Sequence, residues 1–425
     1  MEQITLSNGA RLLLQHIPEA RIASLGFFWG AGSRHETASE NGAAHFLEHM
    51  SFKGTLRRDA AQLAREADTI GGQLNAYTSK DHTCYYIRCL DRHLDRAADL
   101  LCDMMFSSRF AQEDVEVERG VILEEIGMYE DTPEELCAER LDMAVYPKSS
   151  LGRPVLGRQS TLSRMTGEWL RSWQRDHYRP EALVVSLAGG FSPKEVDVLT
   201  QAVSVLEPGP APQYKPALYT PSITTRKKAI EQNHILWAFP GMSYLDERRY
   251  ALILLNAILG GGTSSRLFQE VREKRGLCYN VYSTLSDHAD TGILEIYTAL
   301  HRDQEGQALT AIREVVDRLS QDGPSQEELD RAREQACAGA AMSLETVQAQ
   351  MNHQGSSLLL QGRVRSLAEI LSAYEQVTRP QLRDLAGELF QFNTASLSAV
   401  GRVSPPEFYV RQLGLVDISG KNRAD

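Results

Sequence analysis

Asn41-Gly42-Ala43-Ala44-His45-Phe46-Leu47-Glu48-His49-Met50 places two imidazoles four residues apart, with a carboxylate three residues after the first. Positions i, i+3 and i+4 of a helix share a face, so His45, Glu48 and His49 are expected to project together. Two imidazole nitrogens suit a zinc ion, and a third ligand plus a water would leave the open position that catalysis needs. The competing reading is a surface helix with two exposed histidines.

The order His-x-x-Glu-His reverses the commoner His-Glu-x-x-His and is the signature of the inverted zincins. A further ligand is sought in Gln112-Glu113-Asp114-Val115-Glu116-Val117-Glu118-Arg119-Gly120-Val121-Ile122-Leu123-Glu124-Glu125-Ile126. This segment is expected to be helical, with Val115, Val121, Ile122 and Ile126 as its apolar stripe. Glu118 and Glu125 stand two turns apart beside that stripe and can both point inward. One would ligate a metal while the other accepts a ligand histidine's second N–H, fixing its tautomer. A solvated acidic face is the alternative, and it suits Glu113, Glu116 and Glu124 better.

The run His45-Phe46-Leu47-Glu48-His49-Met50, then Phe52-Lys53-Gly54-Thr55, then Glu118-Arg119-Gly120-Val121-Ile122-Leu123-Glu124-Glu125 resembles the M16 zinc peptidases. The likeness is greatest to the mitochondrial processing peptidase subfamily and its bacterial relatives. It implies zinc held by His45, His49 and Glu125, with Glu118 supporting a ligand and Glu48 as the catalytic base. Glu124 is the adjacent competitor and ranks second, because only Glu125 keeps both of the family's spacings.

Near the middle of the chain, Glu207-Pro208-Gly209-Pro210-Ala211-Pro212-Gln213-Tyr214-Lys215-Pro216 is proline-rich and reads as a linker. The expected division is a zinc-binding domain over 1–206, a linker over 207–222 and a second domain over 223–425. The two sides echo each other. The pattern of Tyr178 to Gly189 returns in Phe390 to Gly401, and that of Gly72 to Thr78 in Gly276 to Ser283. We read an internal duplication of two α+β domains. The resemblance implies that each is a mostly antiparallel sheet with helices packed on one face, the two enclosing a central cavity.

The second half lacks the metal motif: the matching stretch runs from Asn256 through Gly260, Gly261 and Gly262 to Arg266. The triglycine has neither a Walker lysine nor dinucleotide-binding spacing, so a flexible or closely packed loop is expected. Arg272 and Tyr279 match the Arg and Tyr that the family brings to substrate from its C-terminal domain. A guanidinium and a phenol can hydrogen-bond a carbonyl on which charge develops. The family likeness also makes Asn75, Ala76, Tyr77 and Thr78 an exposed sheet edge to which a peptide substrate adds as a strand. A core hairpin is the plainer alternative.

Composition narrows the rest. A chain of 425 residues suggests more than one domain. The net charge of -11 and the lack of a basic run disfavour nucleic acid. No apolar run is long enough for a membrane span. The N-terminus has no signal-peptide pattern, and six cysteines without Cys-x-x-Cys spacing read as reduced thiols in a cytoplasm. Acidic residues clustered between Glu113 and Glu135 point to cationic peptides. The remaining histidines have no ligand-spaced partners, and Ser325 to Glu328 reads as a capping box.

Together these readings predict a zinc-dependent endopeptidase acting on peptides or unfolded segments, self-sufficient as a homodimer or, failing that, as a monomer. The alternatives are the metal-binding subunit of a hetero-oligomeric peptidase and a non-catalytic peptide-binding assembly protein.

Overall fold

Alternating and continuous apolar runs supply eleven strands among the residues described, 1–414, in this computed structural model. They are β1 Glu2–Thr5, β2 Arg11–His16, β3 Ile22–Trp29, β4 Gln73–Thr78, β5 Thr83–Leu90, β6 Leu183–Gly189, β7 Ile223–Lys227, β8 Gln232–Pro240, β9 Asn280–Asp287, β10 Gly292–His301 and β11 Ser396–Gly401. The first six form one sheet in the order β1-β2-β6-β3-β5-β4, and the last five form another in the order β7-β11-β8-β10-β9.

The sheets share one plan. In the first, β6 pairs parallel with β2 and antiparallel with β3. In the second, β11 pairs parallel with β7 and antiparallel with β8. All other pairings are antiparallel. The echoed sequences land on equivalent strands: β6 matches β11, and β4 matches β9 as the outermost strand on one side. The α+β duplication expected from sequence is therefore present.

The chain divides into two compact units that exchange segments. The first comprises residues 1–127, 153–215 and 341–365; the second comprises 128–152, 216–340 and the described residues from Ser366 on. The halves expected over 1–206 and 223–425 thus each give one segment to the other unit.

Within the first unit, β3 is buried on both faces. Ala23, Leu25, Phe27 and Trp29 join the large helical core, while Phe28 turns the other way to Met351 and Leu358 of the helix Val347–Gln361. Close approach explains two glycines. A Cβ on Gly355 would stand 2.2 Å from the Phe28 ring, and one on Gly26 would stand 2.5 Å from Met351 Sδ. In the second unit, Ile235, Trp237 and Phe239 of β8 face the large core, while Leu236 and Ala238 meet Cys137, Leu141 and Val145 of the helix Pro133–Val145. Each sheet therefore carries helices on one face and a single helix, donated by the other half of the sequence, on the opposite face.

Smaller expectations are met. Ser325 and Glu328 form a reciprocal capping pair at 2.7 and 3.1 Å. A Cβ on Gly260 would come within 2.3 Å of the Ser283 nitrogen, so the triglycine begins in close packing. All six cysteines are free thiols. No helix among the described residues is long and apolar enough to cross a membrane.

Candidate metal centre and active site

The helix Ala43–Ser51 is anchored by its apolar side, with Ala43, Ala44, Phe46, Leu47 and Met50 fully buried. Its entry needs a left-handed residue, and Gly42 supplies it at φ 98°. Glu36 completes the end from outside the helix. Its carboxylate accepts the N–H groups of Gly42 and Ala44, each at 2.9 Å, and the Asn41 amide at 3.1 Å. These bonds satisfy donors that a helix start leaves unpaired. Burial nevertheless pushes the Glu36 carboxyl up to about 8.

His45, Glu48 and His49 share the remaining face. The helix Gln112–Asp131 supplies the carboxylates, and it buries Val115, Glu118 and Ile122. The expected apolar stripe is corrected at one position, because Val121 is 46% exposed. The buried line runs through Val115 and Ile122, with Ile126 packed beside it; Val121 lies one helical step off that line.

His45, His49 and Glu125 converge, with one ligand atom from each within 4.8 Å of the others. Glu125 Oε2 stands 3.6 Å from His45 Nε2 and 3.7 Å from His49 Nε2. Glu124 is exposed. No other such group of potential ligands occurs among the described residues. Burial, with neighbouring His49 assisting, holds the His45 pKa down to about 3. The ring is therefore neutral and keeps a lone pair for a metal.

Glu118, only 3% exposed, lies behind His49 with Oε2 3.1 Å from Nδ1. Its other oxygen meets Lys53 Nζ at 2.5 Å. An ionised carboxylate only accepts, so Nδ1 carries the proton and Nε2 is left free on the side of Glu125. Two imidazole nitrogens and one carboxylate aimed at a common point suit a zinc ion with one position left open.

Glu48 does not join the three donors. Its Oε2 accepts a hydrogen bond of 2.5 Å from Thr78 Oγ1 at the end of β4. Burial raises its pKa, partly offset by the Thr78 bond and by His49, while Glu125 adds to the rise.

Asn75, Ala76, Tyr77 and Thr78 all lie on β4, which borders the first sheet. Ala76 N–H donates to Asn75 Oδ1 at 2.8 Å, and Tyr77 Oη sits 3.2 Å from His82 Nε2. In the second unit, Arg272 lies on the π-helix Phe268–Glu273, whose geometry is rare and frequent at functional sites. Its guanidinium stacks 4.5 Å from the Phe268 ring centre and 5.2 Å from that of Tyr279, which is 77% exposed.

Sequence reasoning missed three supporting groups: Glu36, Lys53 and the Thr78 hydroxyl. Lys53 had a signal in its position four residues after His49. Glu36 and Thr78 reach the motif helix only through the fold.

Comparison with known proteins places the chain in a family. Residues 11–159 match the model of insulinase, peptidase family M16, and residues 164–336 match that of the peptidase M16 inactive domain. The chain is 41% identical over 392 residues to the uncharacterized zinc protease YmxG of Bacillus subtilis, covering 92% of this chain and 96% of that protein. An uncharacterized zinc protease of Streptomyces coelicolor is 38% identical, covering 94% and 89% respectively. Among solved structures, a peptidase M16 inactive domain from Pseudomonas fluorescens superposes with a TM-score of 0.87 at 22% identity, covering 95% of this chain and 98% of that one. A protease from Helicobacter pylori gives 0.86 at 20% identity, covering 94% and 99%. By its sequence and its fold, this chain belongs to peptidase family M16.

Proposed function

We propose that the protein is a zinc-dependent endopeptidase that hydrolyses peptides or unfolded segments bound as an added β-strand. The convergence of His45, His49 and Glu125 beside a separate carboxylate, Glu48, carries this reading. The relatives named as zinc proteases support the choice of metal.

His45, His49 and Glu125 would hold the ion. Zinc, when bound, supplies Lewis acidity, which makes water a nucleophile near neutral pH and polarises the scissile carbonyl. Glu48 takes a proton from the attacking water as its oxygen bonds the carbonyl carbon, then delivers that proton to the amine as the C–N bond breaks. Glu118 keeps His49 in the tautomer that binds metal. Asn75, Ala76, Tyr77 and Thr78 would present the backbone edge for the substrate strand, which favours broad sequence tolerance. Arg272 and Tyr279 would donate to peptide oxygens that gain charge in the transition state. Because one chain carries both the metal ligands and the Arg–Tyr pair, it needs no different subunit, and the proposed assembly is a homodimer, with a monomer as the alternative that a solution mass would reveal. Its six free thiols fit a reducing cytoplasm.

The test is cleavage of a quenched fluorescent peptide library by the parent and by Glu48→Gln, with zinc quantified in both. Activity in the parent, lost in a variant that keeps one zinc, supports the reading. An inactive parent with zinc bound overturns it in favour of a subunit that needs a different partner.

A further inference from the structure

We propose that Thr78 is a positioning residue for Glu48, orienting the base carboxylate and tying it to the strand edge that receives the substrate. This rests on the peptidase reading above and extends it to a side chain known there only for its backbone.

Burial alternates along β4. Gln73, Asn75 and Tyr77 are exposed, while Leu74, Ala76 and Thr78 are half-buried. Leu74 and Ala76 pack against the large helical core, so Thr78 is on the side of the sheet that carries the helix Ala43–Ser51. Its hydroxyl donates to Glu48 Oε2 at 2.5 Å, within the range of a charge-assisted O–H to carboxylate bond. The two residues are 30 apart in sequence, so the fold and not the motif creates the bond.

The division of roles follows from the chemistry. A glutamate has three rotatable bonds and, unheld, would sample many orientations. Threonine is branched at Cβ and stiff, so its hydroxyl is a fixed donor. It occupies Oε2 and leaves Oε1 for the proton in transfer. Thr78 is also the last residue of an outermost strand. A peptide paired with that edge would therefore be registered on the same rigid segment that fixes the base, so placement of the scissile bond and of the proton acceptor are coupled.

The experiment compares Thr78→Val, which keeps shape and removes the hydroxyl, with Thr78→Ser, which keeps the hydroxyl. Peptide cleavage, zinc affinity and the affinity of a non-hydrolysable peptide are measured for each. We expect kcat to fall about 10- to 100-fold in Thr78→Val, as for loss of a hydrogen bond to a charged group. Zinc and peptide affinities should stay within twofold, and Thr78→Ser should recover most of kcat. In a Glu48→Gln background, Thr78→Val should cost nothing more. Unchanged kcat in Thr78→Val, with Glu48→Gln dead, would overturn the positioning role and leave the peptidase reading standing. Weakened peptide binding at constant kcat would overturn it in favour of a purely edge-strand role. Independently of turnover, the Glu48 carboxylate infrared band, assigned by subtracting the Glu48→Gln spectrum, should shift in Thr78→Val. An unmoved band would overturn the bond even if the parent proved inactive.

Discussion

Glu118 Oε2 lies 3.1 Å from His49 Nδ1, while its Oε1 is held by Lys53 Nζ at 2.5 Å. The carboxylate is thereby fixed at both oxygens and fixes the imidazole in turn. Replacing it with Gln would present an amide, which can put an N–H where the histidine needs an acceptor. We expect Glu118→Gln to weaken zinc affinity about 10- to 100-fold without unfolding the protein. Competition with a chelator, read beside the melting temperature, checks this; parent-like affinity would leave Glu118 with no part in metal binding.

Ala76 N–H, on the outermost strand, donates to Asn75 Oδ1 at 2.8 Å. Proline at this position removes that donor on the outermost strand, where sheets tolerate it best. Ala76→Pro should raise KM at least about tenfold while zinc stays bound, because a substrate strand loses a backbone partner. An unchanged KM would show that peptides do not add to this edge.

Arg272 lies over both the Phe268 and the Tyr279 rings, contacts that use the flat guanidinium. Lysine keeps the charge but cannot stack or fork, so Arg272→Lys should not behave as a conservative change. Both Arg272→Lys and Tyr279→Phe should lower kcat/KM by about 10- to 100-fold, with zinc content unchanged, as expected on losing one transition-state donor. Steady-state kinetics with metal analysis would decide; full activity in both variants would remove the pair from the site.

The motif helix was legible because His45, Glu48 and His49 fall within one turn, where helical period alone decides the facing. The pairing of Glu118 with Glu125 was legible for the same reason. Val121 was not, since an amphipathic stripe one step wide is blurred when acidic residues lie on both its sides. The exchanged helices escaped detection for a different reason. Val347–Gln361 places Gly355 and Ser357 at buried positions, and small residues there make sense only once the Phe28 ring and the sheet above them are known. Thr78 likewise looks like an ordinary strand residue until β4 and the motif helix meet. Local period is written in sequence; contacts made across the fold are not.

Glu295 is the group whose titration should mark the second unit. It lies on β10 between Ile293 and Tyr297, both in the apolar cluster formed with the helix Pro133–Val145. Burial, with Asp142 adding to it, pushes its carboxyl from 4.5 up to about 8. A raised folded-state pKa means that the folded protein holds this proton where the unfolded chain has released it. The resulting penalty on stability is absent below about pH 4.5, grows as pH rises to about 8 and is complete above that. Glu295→Gln, which stays neutral, should match the parent near pH 4.5 and gain steadily above it. The gain should level off near pH 9 on the order of 2 kcal/mol, discounted from the full shift because the side chain retains some access to water. Denaturant midpoints of the two proteins across this range provide the measurement, and a difference that does not change with pH would show that folding does not shift the Glu295 carboxyl.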